Sequence, residues 1–147
     1  MLVIHEMTVD CAPSLSRLHA ACFGEGWDEE YFRRLSLSPH AYGFVADFDH
    51  TSCGFILCQG VMDEAEILTL CVLPEYRHKS LGRQLLEKTM EYSKSLRVKV
   101  FFLEVAEDNF PAISLYTSCG FTKVSKRTNY YQTACSSKDA YLMRRDL

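Results

Sequence analysis

The sequence predicts one α+β domain over residues 1–147, built on a mixed sheet of about seven strands with four helices against it. Three observations carry that expectation. The length suits a single hydrophobic core. Periodicity switches between alternating and helical in the order β-α-α-β-β-β-α-β-α-β-β, in which strands follow one another without helices, so this is not a doubly wound repeat. Leu81 to Leu96 is a clean amphipathic helix. Leu81, Leu85, Leu86, Met90, Tyr92 and Leu96 fall on one half of its wheel, and Arg83, Glu87, Lys88, Glu91 and Lys94 on the other.

Each element has its own signal. Leu2 to Met7 alternates as a short strand. Asp10 is placed to cap a helix running to about Cys22, with Leu15, Leu18 and Cys22 on one face. Gly24 and Gly26 break it, Asp28 caps a second helix through Tyr31, Phe32 and Leu35, and Pro39 ends that region. Tyr42 to Phe48 and Cys53 to Val61 read as a hairpin joined by Asp49 to Ser52. Ala65 to Val72 is an apolar strand that Pro74 stops, because proline has no N–H for a ladder. Lys99 to Val105 is an aromatic and β-branched strand. Asn109 caps a short helix that ends at Cys119, with Gly120 just beyond it. Phe121 to Lys126 and Ala140 to Arg144 are the last strands, separated by Thr128 to Asp139.

Composition narrows the function classes. Hydrophobic residues make up 48% and charged residues 24%, ordinary for a globular protein. No stretch approaches the roughly 18 apolar residues of a membrane span. Met1 to Thr8 lacks the basic and apolar regions of a secretion signal, so a cytoplasmic address is expected. The seven cysteines, Cys11, Cys22, Cys53, Cys58, Cys71, Cys119 and Cys135, are odd in number and irregularly spaced. They suggest buried small hydrophobes, with neither a disulfide framework nor a metal site. A net charge of −3 and no basic aromatic stripe argue against nucleic-acid binding and favour a basic substrate. His5, His19, His40 and His50 have no partner pattern and are expected to be solvated or in the core.

The most informative segment is Leu73 to Arg83, where a basic turn with Arg77, His78 and Lys79 leads through Ser80 and Gly82 into the amphipathic helix. Free backbone N–H groups and the positive end of the macrodipole make such a helix start a phosphate site. Neither the dinucleotide fingerprint nor the mononucleotide P-loop spacing occurs. The spacing R-x-x-S-x-G resembles the pyrophosphate motif of the GCN5-related N-acetyltransferases, [Q/R]-x-x-G-x-[G/A], with Ser80 in the place of the first glycine. A Cβ there crowds phosphate or strains a positive φ. Farther on, L-E-V-x-x-x-N-x-x-A-I-x-L-Y-x-x-x-G-F from Leu103 to Phe121 resembles the RimI branch of that family, which acetylates the N-terminal alanine of a small-subunit ribosomal protein. Trp27 (after Gly26 rather than the usual proline), Asn129-Tyr130-Tyr131 and Asp139-Ala140 extend the likeness over the whole chain.

The resemblance implies the acetyltransferase fold, whose strands before and after the central helix splay apart, and acetyl-coenzyme A as co-substrate, with no metal. Alone, Glu104 reads as a strand-end glutamate reaching water and Tyr116 as a core partner of Ile113. By resemblance Glu104 is the proton acceptor and Tyr116 the proton donor. Leu70, Cys71 and Val72 match the strand that pairs with the pantetheine arm. His78, Lys79, Ser80, Leu81, Gly82 and Arg83 match the pyrophosphate turn, and Asn109 matches a side chain near the sulfur. Arg77 at the motif's first position is expected to be structural. A peptide α-amine has a pKa of about 7.7–8.0, so it must lose a proton before attack. A glutamate's ordinary value, about 4.3, is low for direct abstraction, so burial beside Phe102 or a bridging water has to help. Three functions remain open: acetylation of a protein N-terminus, most closely that of a basic ribosomal protein; acetylation of a small amine or lysine side chain; and a non-catalytic acyl-coenzyme A sensor. The carboxylates Glu25, Asp28, Glu29, Glu30, Asp63, Glu64 and Glu66 are expected to flank a basic peptide's entrance.

Overall fold

The computed structural model describes residues 1–24, 27–77, 79–132 and 137–147. Its strands are β1 (Leu2–Glu6), β2 (Ala41–Phe48), β3 (Thr51–Val61), β4 (Glu64–Val72), β5 (Val100–Ala106), β6 (Thr122–Gln132) and β7 (Ser137–Asp146). Its α-helices are α1 (Ala12–Phe23), α2 (Glu29–Leu37), α3 (Leu81–Ser95) and α4 (Phe110–Ser118), with single 3-10 turns at Val9–Cys11 and Pro74–Tyr76. The sheet runs β1-β2-β3-β4-β5-β7-β6. Every neighbouring pair is antiparallel except β4 and β5.

The central strands are apolar on both faces because each face carries its own cluster. Phe44, Ala46 and Ile56 pack on one side with Leu85 and Leu86 of α3 and Phe121. Val45, Phe55 and Leu57 pack on the other with Leu15 and Leu18 of α1 and Phe32 of α2. Alternation along β2 and β3 therefore feeds two cores from one sequence run, which is why these strands read as nearly continuous hydrophobic segments.

The feature that positions a site is the divergence of β4 from β5. They pair only where Glu64, Ala65 and Glu66 face Val100, Phe101 and Phe102. Immediately after, Leu57 pairs Thr69 while Cys58 pairs Ile67, so Leu68 is an extra residue in β4. A bulge bends the strand that carries it. Beyond it β4 stays on β3 and β5 stays on β7, and a wedge opens between Leu68–Val72 and Leu103–Ala106.

Several sequence expectations are met residue by residue. Asp28 caps α2, its Oδ1 accepting from the Tyr31 N–H at 2.8 Å. Asn109 caps α4, accepting from the Ala112 N–H at 3.3 Å. Gly120 follows that helix at φ 93°, a conformation that suits glycine. Others are corrected. Asp10 lies within the 3-10 turn and caps nothing; α1 starts at Ala12, with Pro13 in its first turn fixing φ for the helix. The hairpin turn is only Asp49-His50, both left-handed, and pairing resumes at Thr51 with Phe48. β6 and β7 are longer than expected and take up much of Thr128 to Asp139. Cys22 and Cys71 form a disulfide between α1 and β4, with Cα atoms 6.4 Å apart, whereas the cysteine spacing suggests none. Among the described residues no helix is long and apolar enough to cross a membrane.

Candidate active site

The wedge holds two clefts that meet. The first, about 770 Å³, runs from β4 past the turn and the start of α3 to α4. Its walls include Leu70, Cys71, Val72, Ser80, Leu81, Gly82, Arg83, Asn109 and Tyr116. The second, about 630 Å³, lies on the α1 side of the wedge and is walled by His19, Trp27, Leu68, Thr69, Glu104, Asp108 and neighbours. Leu70, Asn109, Ala112, Tyr116 and Phe23 belong to both walls. Any group transferred from a molecule in one cleft to a molecule in the other passes these side chains.

The first cleft joins an open strand edge to the start of a helix. Past the bulge, β4 has lost its partner on the β5 side, leaving that edge to pair with something else. At the turn, Ser80 sits at φ 61° and ψ 21°, left-handed backbone that an L-residue adopts at a cost, and its side chain makes no capping bond. The first N–H groups of α3 are thus left to the cleft. Gly82 allows α3 and α4 to close on each other: a Cβ there meets Leu115 Cδ2 at 3.0 Å. Arg83 ties the same two helices by donating from Nη2 to Ser118 Oγ at 2.6 Å. Arg77 donates from Nε to the Val72 carbonyl at 3.1 Å, holding the end of β4, and also walls the first cleft. Lys79 lines neither cleft; its ammonium lies over the rings of Phe48 and Tyr76, 5.3 and 5.8 Å from their centroids. His78 lies outside the described residues.

Glu104 points into the second cleft from β5, its side chain 30% exposed. Its neighbour is cationic, which the sequence does not announce: Arg127 of β6 donates from Nη1 to Oε1 and Oε2 at 3.3 and 3.4 Å. Phe102, two residues away, faces the Arg144 guanidinium instead. Tyr116 on α4 is 7% exposed, with its ring 5.8 Å from Phe121. Asn109 uses its side-chain carbonyl on the α4 cap, which turns its amide nitrogen into the group left for the clefts.

His19 lies in the core, one of the two places expected for it, and it also walls the second cleft, which its sequence context does not announce. It is 6% exposed, stacks on Trp27 with centroids 4.5 Å apart, and contacts Phe23 and Phe32. Its Nδ1 accepts from the Trp27 N–H at 3.1 Å, and burial lowers the imidazole's pKa below the ordinary histidine value. The expected acidic entrance is also redrawn. Asp63, Glu64 and Glu66 sit at the closed, paired end of β4 and line neither cleft. Glu29 and Glu30 bridge to Arg33, Asp28 is engaged as a cap, and Glu25 lies outside the described residues. Glu104 and Asp108 are the carboxylates of the second cleft.

A model of the acetyltransferase (GNAT) family matches residues 12–121, and the chain belongs to that family. It is 38% identical over 95 residues to the [ribosomal protein bS18]-alanine N-acetyltransferase of Salmonella typhimurium, covering 65% of this chain and 64% of that protein. The N-alpha-acetyltransferase RimI of Mycobacterium tuberculosis is 33% identical over 151 residues, covering 99% and 92%. The crystal structure of the ribosomal-protein-S18-alanine N-acetyltransferase from Escherichia coli superposes with a TM-score of 0.92 at 29% identity, covering 99% of this chain and 94% of that one. The chain spans about three fifths of the length of the Salmonella and Escherichia relatives in the sequence matches, 64% and 60%.

Proposed function

We propose that residues 1–147 form one acetyltransferase domain that moves an acetyl group from acetyl-coenzyme A to the α-amine of a protein N-terminus, with the N-terminal alanine of a basic small-subunit ribosomal protein as the preferred acceptor. The observation that carries this reading is the pair of clefts meeting at Leu70, Asn109 and Tyr116. One side suits a long anionic thioester and the other a chain end. Names of the relatives at 33% and 38% identity support the N-terminal acceptor.

The first cleft fits the co-substrate on this chain's own features: an open β4 edge, a helix start with free N–H groups, and a glycine at Gly82 where a Cβ would crowd Leu115, another residue of the cleft wall. Backbone of Leu70, Cys71 and Val72 would hold the pantetheine arm. The turn from His78 to Arg83 would hold the pyrophosphate, with Lys79 contributing through its backbone because its side chain is engaged elsewhere. Bound there, acetyl-coenzyme A supplies an acetyl group on a thiolate leaving group of pKa roughly 8.5.

Glu104 takes the proton of the acceptor's ammonium. Its partial exposure favours relay through a water over direct abstraction. A β4 N–H among Leu70 to Val72 stabilises negative charge growing on the carbonyl oxygen. Tyr116 Oη gives its proton to the departing sulfur and recovers one through water, while the nitrogen sheds its second proton to solvent as the intermediate collapses to the amide. Incubation with acetyl-coenzyme A and an alanyl peptide, read by mass spectrometry with fragment mapping, tests the reading. A single acetyl group on the α-amine is expected, and acetylation confined to lysine side chains or no transfer at all would overturn it.

A further inference from the structure

The second cleft contains a hydrogen-bond donor that the mechanism does not use. Trp27's N–H is a donor, so His19 Nδ1 must be the lone-pair nitrogen of a neutral ring. The other nitrogen, Nε2, then carries the proton. Among the described residues no hydrogen-bond partner is found for Nε2, and no buried side-chain nitrogen lacks both a partner and access to solvent. His19 is part of the wall of the second cleft. With Nδ1 tied to Trp27, Nε2–H is the ring's remaining donor, and the ring that carries it into that wall is held by Phe23, Trp27 and Phe32.

A fixed donor in an apolar wall selects an acceptor that offers a carbonyl there, since an N–H left without one after water is expelled costs more than the bond gains. A peptide α-amine has its own residue's carbonyl carbon bonded directly to the nitrogen-bearing carbon, with the carbonyl oxygen one bond farther. A lysine ε-amine has only methylenes at that distance. We infer that His19 is a specificity residue that donates from Nε2 to the first peptide carbonyl of the acceptor, and so selects chain ends over lysine side chains. This rests on the N-terminal reading above and deepens it.

The test is a two-by-two comparison of kcat/KM. One substrate is an arginine-bearing alanyl peptide, and the other is the same peptide with its first amide replaced by an alkene isostere that has no carbonyl. Wild type is expected to prefer the amide by about fivefold or more, the cost of leaving one buried N–H unpaired. His19→Met is expected to lose that preference while binding coenzyme A as wild type does. His19→Gln is expected to restore it, because its amide can accept from Trp27 and donate to the cleft. A purely structural His19 would slow both peptides equally in His19→Met and leave the preference intact, which overturns the inference. Wild type showing no preference overturns it without any variant. Wild type acetylating neither peptide removes the N-terminal reading itself, and this inference with it.

Discussion

Ser80→Gly isolates the one departure from the family's pyrophosphate motif. Ser80 holds φ 61° and ψ 21° at the head of α3, and its carbonyl already accepts the first helical bond from the Gln84 N–H at 2.9 Å. An L-residue in the left-handed region costs about 1–2 kcal/mol, and glycine removes that cost. Glycine loses more backbone freedom on folding, worth roughly 0.5–1 kcal/mol, which offsets part of the gain. The hydroxyl makes no capping bond, so nothing else is subtracted. The midpoints of the two ranges leave a net stabilisation of about 0.75 kcal/mol, or a rise in Tm of roughly 1.5–3 °C for a chain near this size. The left-handed turn is present without coenzyme A, so relief of backbone strain belongs to folding. Affinity should tighten only to the extent that Cβ crowds phosphate. Thermal melts with calorimetric titration of coenzyme A separate the two effects. An unchanged or lower Tm refutes the strain argument, and weaker binding means that the hydroxyl itself contacts phosphate.

Glu104→Gln is expected to keep coenzyme A binding and slow transfer by about 10²-fold or more, the scale of general base catalysis; wild-type turnover between about pH 6 and 9 would remove Glu104 from the mechanism. Tyr116→Phe should lose rate with little change in Tm, because the ring still packs near Phe121; unchanged rate would leave it a core aromatic. Breaking the Cys22–Cys71 bond by Cys22→Ser, or by reductant, opens a crosslink across 49 residues and should destabilise by about 2–4 kcal/mol in thermal melts; equal Tm with and without reductant would contradict this. Burial lowers the His19 pKa, so the folded chain resists a proton that the unfolded chain accepts. The stability this contributes is present above about pH 6.5 and is lost as pH falls, so chemical melts of His19→Gln should show a shallower pH slope than wild type.

What the sequence made legible is what is local. The helix of α3, the caps at Asp28 and Asn109 and the end at Gly120 depend on residues within a few positions, and each is found where its signal lies. What it hid depends on which strands meet. Arg127 reaches Glu104 only because both β5 and β6 pair with β7, bringing residues 23 apart in sequence to 3.3 Å. Arg127 lies one residue past the expected strand Phe121 to Lys126, so no residue pattern set it beside Glu104. Cys22 and Cys71 are joined by the packing of α1 on β4, and no spacing rule encodes that. His19 looked isolated because its partner is a backbone N–H, which no residue pattern shows. Asp10 failed as a cap because Pro13 offers a fixed helical φ three residues later, and the chain turns through a 3-10 segment to use it. The wedge is encoded by the single extra residue Leu68, invisible in an apolar run until the register with β3 is known.

The most direct test of the central claim is site-resolved mass spectrometry on an alanyl, arginine-rich peptide that also carries an internal lysine, incubated with acetyl-coenzyme A and the protein. The clefts' arrangement predicts one acetyl group, on the terminal α-amine. An acetyl group on the lysine with a free α-amine, or an unmodified peptide beside intact acetyl-coenzyme A, would contradict it.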